Sequence, residues 1–295
     1  MAQALSTRYP LVMVPGMLGF VRLLLYPYWF GIPAALRRGG AQVFVVQVSP
    51  VNSNEVRGEQ LLRIIERIRR ETGADKVNLI GHSQGALTAR YAAAKYPQWI
   101  ASVTSVAGPN RGSELADYYV RRYPADSACG RLLALALRVL AGGIWLLETG
   151  QRGPLLPIDV EASHRSLTSE GAALFNRQYP QGVPTTWGGR GAEEVNGVRY
   201  YSWSGIVQDK RSDSGGNRFD GSHFFCRLNV RGFFRERECD GMVGRLSSHL
   251  GQVIGDDYPL DHLDIVNQSL GLVGKGADPV RLFTEHAARL KAAGL

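Results

Sequence analysis

The residues best placed to do chemistry are a serine and the glycines around it. Residues 81–85 read Gly-His-Ser-Gln-Gly, so Ser83 stands two positions from both Gly81 and Gly85. A strand-like run at 76–80 leads into this pattern and a helix-like run at 86–95 leads out of it. A strand-to-helix turn this tight admits only glycine at both flanking positions and holds the serine side chain above the sheet edge. The pattern predicts a nucleophilic serine; the alternative is an ordinary glycine-rich turn.

A serine nucleophile needs a general base, and the base needs an acid that orients it. Where this turn occurs, the order along the chain is serine, acid, histidine. His262 lies in a polar loop before a further helix, from which a base could reach back over the sheet. We favour His262 over His249. Because His249 stands just before an apolar run, we expect it to pack or to form hydrogen bonds locally. The other downstream histidines are His164 and His223, in the cap or a loop, and His286, on a terminal helix where a surface or packing role is expected.

The orienting acid must lie on an earlier loop than the base. We favour Asp240, because the turn-forming Gly241 and an apolar run follow it. Asp213 and Asp220 remain open as alternatives. Four further aspartates lie too near His262 to end a separate strand, but nearness in the sequence does not exclude them: Asp256, Asp257, Asp261 and Asp264.

The elements around these residues alternate between strand and helix. Short apolar runs, several rich in β-branched residues, occur at 11–14, 43–46, 77–80, 101–106 and 199–205. Residues 54–72 place an apolar stripe on one helix face, formed by Leu61, Ile64, Ile65 and Ile68. Near-continuous apolar strands separated by helices are typical of a mostly parallel sheet covered on both faces. The sequence therefore predicts an α/β fold.

The pattern changes near residue 115. Residues 132–147 are apolar except for Arg138 and the pair Gly142-Gly143, a run shorter than the roughly 20 residues that cross a bilayer. Composition allows a buried pair of core helices or a mobile apolar cap. We expect one domain over residues 1–295, with a helical cap or lid inserted at about 115–165.

Composition excludes several classes of protein. The chain has 295 residues, of which 44% are hydrophobic and 20% charged, so intrinsic disorder is not expected. Three cysteines cannot frame a disulfide scaffold. The net charge of +8 comes from scattered basic residues, which indicates a solvated surface first, a preference for lipid surfaces second, and no nucleic-acid partner. No cleavable signal peptide and no transmembrane segment are visible.

Several longer motifs resemble the Pseudomonas/Proteus-type bacterial true lipases, which have the α/β-hydrolase fold. The similarity spans about residues 8–292 and is looser at 115–165 and 206–238. Its most specific stretches are 14–20, 28–32, 77–85, 200–205, 240–251 and 261–268.

The resemblance implies a triacylglycerol lipase that cleaves esters of long-chain fatty acids at an oil–water interface. It implies Ser83 as nucleophile, Asp240 as acid and His262 as base, in agreement with the choices made from order and loop position. It also implies an oxyanion hole formed by the backbone N–H groups of Met17 and Gln84. Residues 129–149 match the family's lid, and a secreted protein is expected.

A single structural Ca²⁺ ion is implied as well. The matching positions are the carboxylates of Asp220 and Asp264 and the carbonyl groups of Gln268 and Leu272, with Asp213 as a fallback for Asp220. Hard oxygen ligands of this kind suit calcium.

The chain departs from the family in two places. Pro15-Gly16 stands where relatives usually carry His-Gly, and Gly188 and Leu246 stand where many carry a disulfide. Cys129, Cys226 and Cys239 are therefore expected as free thiols, with a Cys226–Cys239 bridge left open, as is a dedicated folding chaperone. The alternatives to a lipase are a carboxylesterase, phospholipase or acyltransferase on the same scaffold, and a catalytically silent lipid-binding protein.

Overall fold

The structure is a computed structural model that describes residues 4–150, 153–208, 215–232, 234–235 and 237–295. Among them are β1 (Leu11–Val14), β2 (Arg22–Leu23), β3 (Tyr26–Pro27), β4 (Val43–Val45), β5 (Val77–His82), β6 (Ile100–Val106), β7 (Glu194–Val195), β8 (Val198–Gly205) and β9 (Gln252–Tyr258). The helices are α1 (Ile32–Arg38), α2 (Asn54–Thr72), α3 (Gln84–Lys95), α4 (Glu114–Arg122), α5 (Ala128–Leu147), α6 (Val160–Leu167), α7 (Ser169–Gln178), α8 (Gly221–Gly232) and α9 (Pro279–Ala292).

Seven of the strands form one sheet in the order β4-β1-β5-β6-β8, with β7 and β9 both paired to β8. Every pairing in this sheet is parallel except that of β7 with β8. The carboxyl ends of β1, β5 and β6 therefore meet at one edge, and the loops that leave them share that edge. The prediction of a mostly parallel sheet is confirmed.

Helices cover both faces of the sheet, as predicted. On one face α1 packs against α9, over a core that includes Met13, Trp203 and Phe283. On the other face α2 packs against α3, over a core that includes Val14 and Leu79. Within α2 the predicted stripe is buried at Leu61, Ile65 and Ile68 and half-buried at Ile64.

The helix α2 has a clear start and end. The Ser53 hydroxyl accepts a hydrogen bond from the backbone N–H of Val56, at 3.3 Å, which satisfies one of the free donors of the first turn. At the other end Gly73 takes the left-handed conformation with φ of 69°, which a residue with a side chain adopts only at a cost.

The apolar run near residue 140 forms the single helix α5, not a pair of helices. The structure begins the helix four residues before the predicted run, because the Ser127 hydroxyl caps it by accepting from the N–H of Gly130 at 2.9 Å. Only Gly130, Ala141 and Ile144 are buried, so the interpretation as core helices is wrong. Among the described residues α5 alone is long and apolar enough to cross a membrane, a weak indication by length and composition only.

None of Cys129, Cys226 and Cys239 forms a disulfide, as expected, and the Cys226–Cys239 bridge is absent. The two positions that the resemblance pairs do lie in contact. A Cβ atom added at Gly188 would stand 3.1 Å from the side chain of Leu246, so leucine packing occupies the space of a bridge.

The contact between α2 and α3 yields a stability prediction. A Cβ atom at Gly58 would stand 2.6 Å from Cγ of Tyr91, so α2 could not keep its distance from α3. We expect Gly58→Ala to lower the free energy of unfolding by about 1–3 kcal/mol through overpacking, although alanine favours helix.

Urea unfolding measures this change, with Gly142→Ala in α5 as the matched control. No atom lies within 4 Å of a Cβ built at Gly142, so the control should be neutral or stabilising by up to about 1 kcal/mol. Equal effects of the two substitutions would contradict the packing argument.

Candidate active site

The turn that carries Ser83 has the tight geometry that its glycines predict. Ser83 has φ of 54° and ψ of −127°, a conformation that costs free energy for a residue with a side chain. A Cβ atom at Gly81 would collide with the carbonyl oxygen of Gly85, and one at Gly85 with that of Val14. Both glycines are therefore required by contact, and the interpretation as an ordinary turn does not account for the strained serine.

The structure brings His262 and Asp240 together. His262 Nδ1 lies 2.7 Å from Oδ2 of Asp240, and both side chains are buried. The other carboxylate oxygen, Oδ1, accepts from the backbone N–H groups of Met242 at 2.8 Å and Val243 at 2.7 Å. Because a carboxylate accepts, Nδ1 of His262 carries the proton and donates it, which leaves Nε2 as the basic nitrogen.

The loop of His262 also contacts the residue before the serine. The rings of His82 and His262 lie 4.7 Å apart between centroids, and His82 Nε2 lies 2.9 Å from the backbone oxygen of His262. The three residues favoured for a triad thus lie on loops that meet at one edge of the sheet.

The loop after β1 lies against the serine. A Cβ atom at Gly16 would stand 2.8 Å from Cβ of Ser83, so the backbone of this loop passes directly beside Ser83. In the part of the chain that the structure describes, the backbone N–H groups of Met17 and Gln84 bond no other group. Free N–H groups beside a nucleophile are what stabilisation of an oxyanion needs.

Arg57 holds this loop from inside the protein, a role that the sequence analysis missed. Its guanidinium donates to the carbonyl oxygens of Pro15 at 2.6 Å, Gly16 at 3.2 Å and Ser49 at 2.5 Å. Burial lowers the pKa of Arg57 to about 10, so the group stays charged at neutral pH. The signal was present in the sequence, since Arg57 stands four residues before Leu61 within the apolar stripe of α2.

The other histidines have structural surroundings. His286 lies within 2.7 Å of the Thr104 hydroxyl and is fully buried, so a packing role is confirmed and a surface position is wrong. His249 lies 3.0 Å from Asp256, in agreement with the predicted local hydrogen bonding. His164 lies on α6, where burial lowers its pKa. His223 is not in a loop but on α8, 2.8 Å from Asp261.

A second cluster of buried acids lies beside the His262 loop. Neither carboxylate oxygen of Asp264, nor Oδ2 of Asp220, has a hydrogen-bond partner among the described residues. Burial, followed by repulsion from Asp261 and Asp220, raises the pKa of Asp264 to about 9. His223, Asp261 and Asp264 also present ligand atoms within 4.8 Å of one another, and the sequence analysis did not propose His223 or Asp261 as members.

The remaining predicted ligands lie in the same part of the molecule. The carbonyl oxygen of Gln268 accepts a hydrogen bond from the Tyr26 hydroxyl at 2.6 Å. Leu272 packs beside Gly216 in the segment that leads to Asp220, because a Cβ atom at Gly216 would stand 2.6 Å from Cα of Leu272. The fallback Asp213 lies outside the described residues.

A cavity of about 830 Å³ lies between α4, α5 and α6. None of Ser83, Asp240 and His262 is among its lining residues, so it is not a chamber around the serine. The inner face of α5 instead packs against the loop after β1, with Leu137 and Ala141 in one apolar cluster with Met17 and Leu18. The helix therefore lies against the loop after β1.

Comparison with known proteins places this geometry in context. Residues 9–135 match the family model described as the alpha/beta hydrolase fold. The chain is 50% identical to the triacylglycerol lipase of Pseudomonas fragi over 100% of both chains. It is 46% identical to that of Vibrio cholerae, over 98% of this chain and 90% of the relative. The crystal structure of Staphylococcus hyicus lipase superposes with a TM-score of 0.66 at 16% identity, covering 97% of each chain, and shares the fold.

The contacts of Arg57 predict a loss of stability when its guanidinium group is replaced. Lysine keeps the charge of Arg57 but cannot reach three carbonyl groups at once. Since each buried carbonyl left unpaired costs about 1–3 kcal/mol, we expect Arg57→Lys to lower the free energy of unfolding by at least about 2 kcal/mol.

Chemical denaturation tests this value against Arg67→Lys on the exposed face of the same helix. Arg67 makes only an exposed ion pair with Glu71 at 3.8 Å, so its replacement should change stability by less than about 0.5 kcal/mol. If the two variants unfold at the same urea concentration, Arg57 does not hold the loop.

Proposed function

The chain belongs to the triacylglycerol lipases of the α/β-hydrolase fold, and from this premise we propose that Ser83, His262 and Asp240 are its catalytic triad. A triacylglycerol lipase hydrolyses the carboxylic esters of glycerol with fatty acids, and we propose long-chain esters as the substrates. The observation that carries the assignment is the 2.7 Å contact between His262 Nδ1 and Asp240, beside the strained turn of Ser83.

The proposed reaction proceeds through an acyl-enzyme. The Ser83 hydroxyl oxygen attacks the ester carbonyl carbon while Nε2 of His262 takes the hydroxyl proton. Asp240 stabilises the imidazolium that forms. His262 then donates that proton to the departing glyceride oxygen as its bond to carbon breaks. Water attacks the acyl-enzyme by the same route, with His262 as base, and the fatty acid leaves while Ser83 regains its proton.

The negative oxygen of each tetrahedral intermediate needs hydrogen-bond donors that are already in place. The backbone N–H groups of Met17 and Gln84 would provide them. Gln84 is the first residue of α3, where N–H groups have no partner within the helix and the helix dipole favours negative charge. Its side chain is held elsewhere, since Nε2 donates to the Asn52 carbonyl at 2.8 Å.

We propose that α5 is the lid of this site. Its inner face shares an apolar cluster with Met17 and Leu18, so a movement of the helix would change the access to Ser83. Its outer face exposes leucine and valine side chains to solvent, with Leu132 and Val139 each 68% exposed. Contact with an oil phase stabilises apolar side chains that are otherwise exposed to water on a protein surface. An oil–water interface would thus favour the open arrangement.

The proposed activity predicts how hydrolysis depends on Ser83 and on the physical state of the substrate. We expect wild-type protein to cleave a tributyrin-to-triolein series, with a rate that rises as each ester passes its solubility limit. Ser83→Ala should lower the rate by about 10⁴-fold or more, because the nucleophile is lost.

A fluorophosphonate probe separates the possible explanations of a negative result. It should label wild type at Ser83 and leave Ser83→Ala unlabelled, while circular dichroism shows both proteins folded. Cleavage of soluble short esters alone would identify a carboxylesterase. Absence of both labelling and hydrolysis would leave a silent lipid-binding protein.

We further propose that one structural Ca²⁺ ion binds beside the His262 loop. Asp220 and Asp264 would hold it by their carboxylates, and Gln268 and Leu272 by their carbonyl groups. The residues fit a cation, because three buried carboxylate oxygens of the two aspartates lack hydrogen-bond partners among the described residues and Asp264 is repelled by its acidic neighbours. The ion would neutralise these charges and fix the loop of His262. We also propose a secreted location for the protein. Extracellular proteins commonly bind calcium weakly, with Kd of about 10⁻⁴–10⁻³ M, and a structural site of this kind would suit them.

The calcium proposal predicts opposite effects of one substitution with and without the ion. With excess Ca²⁺, at about 100 times Kd, wild type should gain about 2.7 kcal/mol of stability. Asp264→Asn should lose this gain. In EDTA the same variant should be at least as stable as wild type, because the substitution removes a repelled carboxylate.

Thermal unfolding in Ca²⁺, Mg²⁺ and EDTA measures these differences. Asp257→Asn is the matched control, since Asp257 is exposed and lies outside the cluster. A melting temperature that does not respond to EDTA, or an equal response to Mg²⁺, would overturn the assignment.

A further inference from the structure

A buried path of hydrogen bonds joins the three loops of the site. The backbone N–H of Gly16 donates to the Tyr28 hydroxyl at 3.0 Å, and that hydroxyl lies 2.7 Å from Nδ1 of His82. The opposite nitrogen of the ring, Nε2, lies 2.9 Å from the backbone oxygen of His262. The path thus runs from the loop after β1, past the turn of Ser83, to the loop of the base. Tyr28, His82 and His262 are at most 3% exposed, so no bulk water competes for these bonds.

The path ends at the backbone oxygen of His262, and this acceptor decides which atom donates in each hydrogen bond before it. A backbone carbonyl oxygen only accepts, so Nε2 of His82 carries a proton and donates it to His262. Burial, together with the neighbouring His262 ring, lowers the pKa of His82, so the ring is neutral and Nδ1 has no proton. Tyr28 therefore donates its hydroxyl proton to Nδ1 and accepts the Gly16 N–H with its lone pair. Burial raises the pKa of Tyr28, which keeps this donor protonated.

The same path fixes the peptide planes that precede the Met17 N–H group. The carbonyl oxygen of Pro15 accepts from Arg57, while the N–H of the same peptide, on Gly16, donates to Tyr28. The C=O and N–H groups of a trans peptide point in opposite directions. Arg57 and Tyr28 therefore hold the Pro15–Gly16 peptide by hydrogen bonds from opposite sides. The next peptide presents the Gly16 oxygen to Arg57 and, on its other side, the N–H of Met17. The Gly16 oxygen also accepts from the N–H of Gly19 at 3.2 Å, so this turn and the plane before it together set the orientation of the Met17 N–H.

The residue that precedes Gly16 increases the importance of Tyr28. Pro15 has no N–H group, so Gly16 provides the first backbone donor after β1 ends. Gly16 also passes Ser83 closely, with only 2.8 Å from a built Cβ to Cβ of Ser83. A small rotation of this segment would displace the Met17 donor, and a displacement of about 1 Å can cost about 100-fold in rate.

We propose that Tyr28 and His82 are positioning residues, which together hold the Met17 N–H group and the His262 loop at fixed places around Ser83. Among the described residues, neither side chain forms a hydrogen bond with the Ser83 hydroxyl or with the ring of His262. The inference deepens the proposed acyl-transfer function and rests on it. If it is right, loss of the path weakens stabilisation of the tetrahedral intermediate and leaves binding of the ester unchanged.

Steady-state kinetics of Tyr28→Phe on a soluble p-nitrophenyl ester test this proposal, with the affinity of an alkyl boronic acid measured in parallel. The boronic acid forms a tetrahedral adduct with an active serine and so reports on the oxyanion site. We expect kcat to fall by about 10- to 100-fold with KM within about twofold of wild type. The boronic acid should bind more weakly by a comparable factor.

A matched control removes another buried hydroxyl. Tyr200 lies on β8 in the core cluster on the α2 and α3 side of the sheet and is 1% exposed. Tyr200→Phe should leave kcat and boronic acid affinity unchanged, and circular dichroism should show both variants folded at the assay temperature. An unchanged kcat in folded Tyr28→Phe would overturn the proposal.

His82→Gln provides the second variant, and decides the question if Tyr28→Phe does not fold. It interrupts the path at the ring, so it should also lower kcat and weaken the boronic acid. In the double variant the two losses should not add, because both substitutions break one path. Additive losses would mean independent effects and would overturn the proposal. An inactive wild type would instead contradict the proposed function, whereas active variants equal to an active wild type would contradict only this inference.

Discussion

No side chain fits between the end of the first strand and the turn that carries Ser83, and the rest of the site depends on this contact. Gly85 meets the Val14 carbonyl, Gly81 meets that of Gly85, and Gly16 passes Cβ of Ser83. Three glycines thus allow β1, β5 and α3 to approach at backbone distance. The approach places the loop after β1 beside the serine and forces Ser83 into a strained conformation. That strain is retained because strands and helices on both sides determine the backbone.

Buried polar groups then fix the loops that the glycines bring together. Arg57 binds carbonyl groups of the loop after β1, and the Asp240 carboxylate binds both His262 and the backbone of its own loop. Each of these buried groups has hydrogen-bond partners. Their burial therefore costs little free energy and fixes the positions of the loops. The cluster around Asp264 is the opposite case, since its carboxylate oxygens are buried without hydrogen-bond partners among the described residues. A bound cation would provide these carboxylate oxygens with a partner.

The helix α8 links the site to the molecular surface. On its inner side Cys226 packs against Gly241, next to Asp240, and Asn229 Nδ2 donates to the Gly241 carbonyl at 3.0 Å. On its outer side Phe224 and Leu228 are exposed, at 61% and 50%. The elements nearest the triad thus carry apolar side chains on their outer surfaces, as α5 does. An arrangement of this kind suits chemistry performed beside a lipid phase.

The sequence by itself determined the main elements and predicted the residues that we propose for catalysis. Apolar runs specified the principal parallel strands, the periodic stripe specified α2, and the spacing of Gly81, Ser83 and Gly85 specified the turn, because these are local properties of the chain. The tertiary structure alone decided which distant groups meet. Arg57 on the Pro15 carbonyl, Tyr28 on His82 and His223 on Asp261 are contacts across 42, 54 and 38 residues. The sequence also could not show that α5 is one exposed helix, since whether an apolar run is covered depends on what packs against it. Local pattern sets backbone conformation, whereas buried polar partners are set by how the sheet brings its loops to one edge.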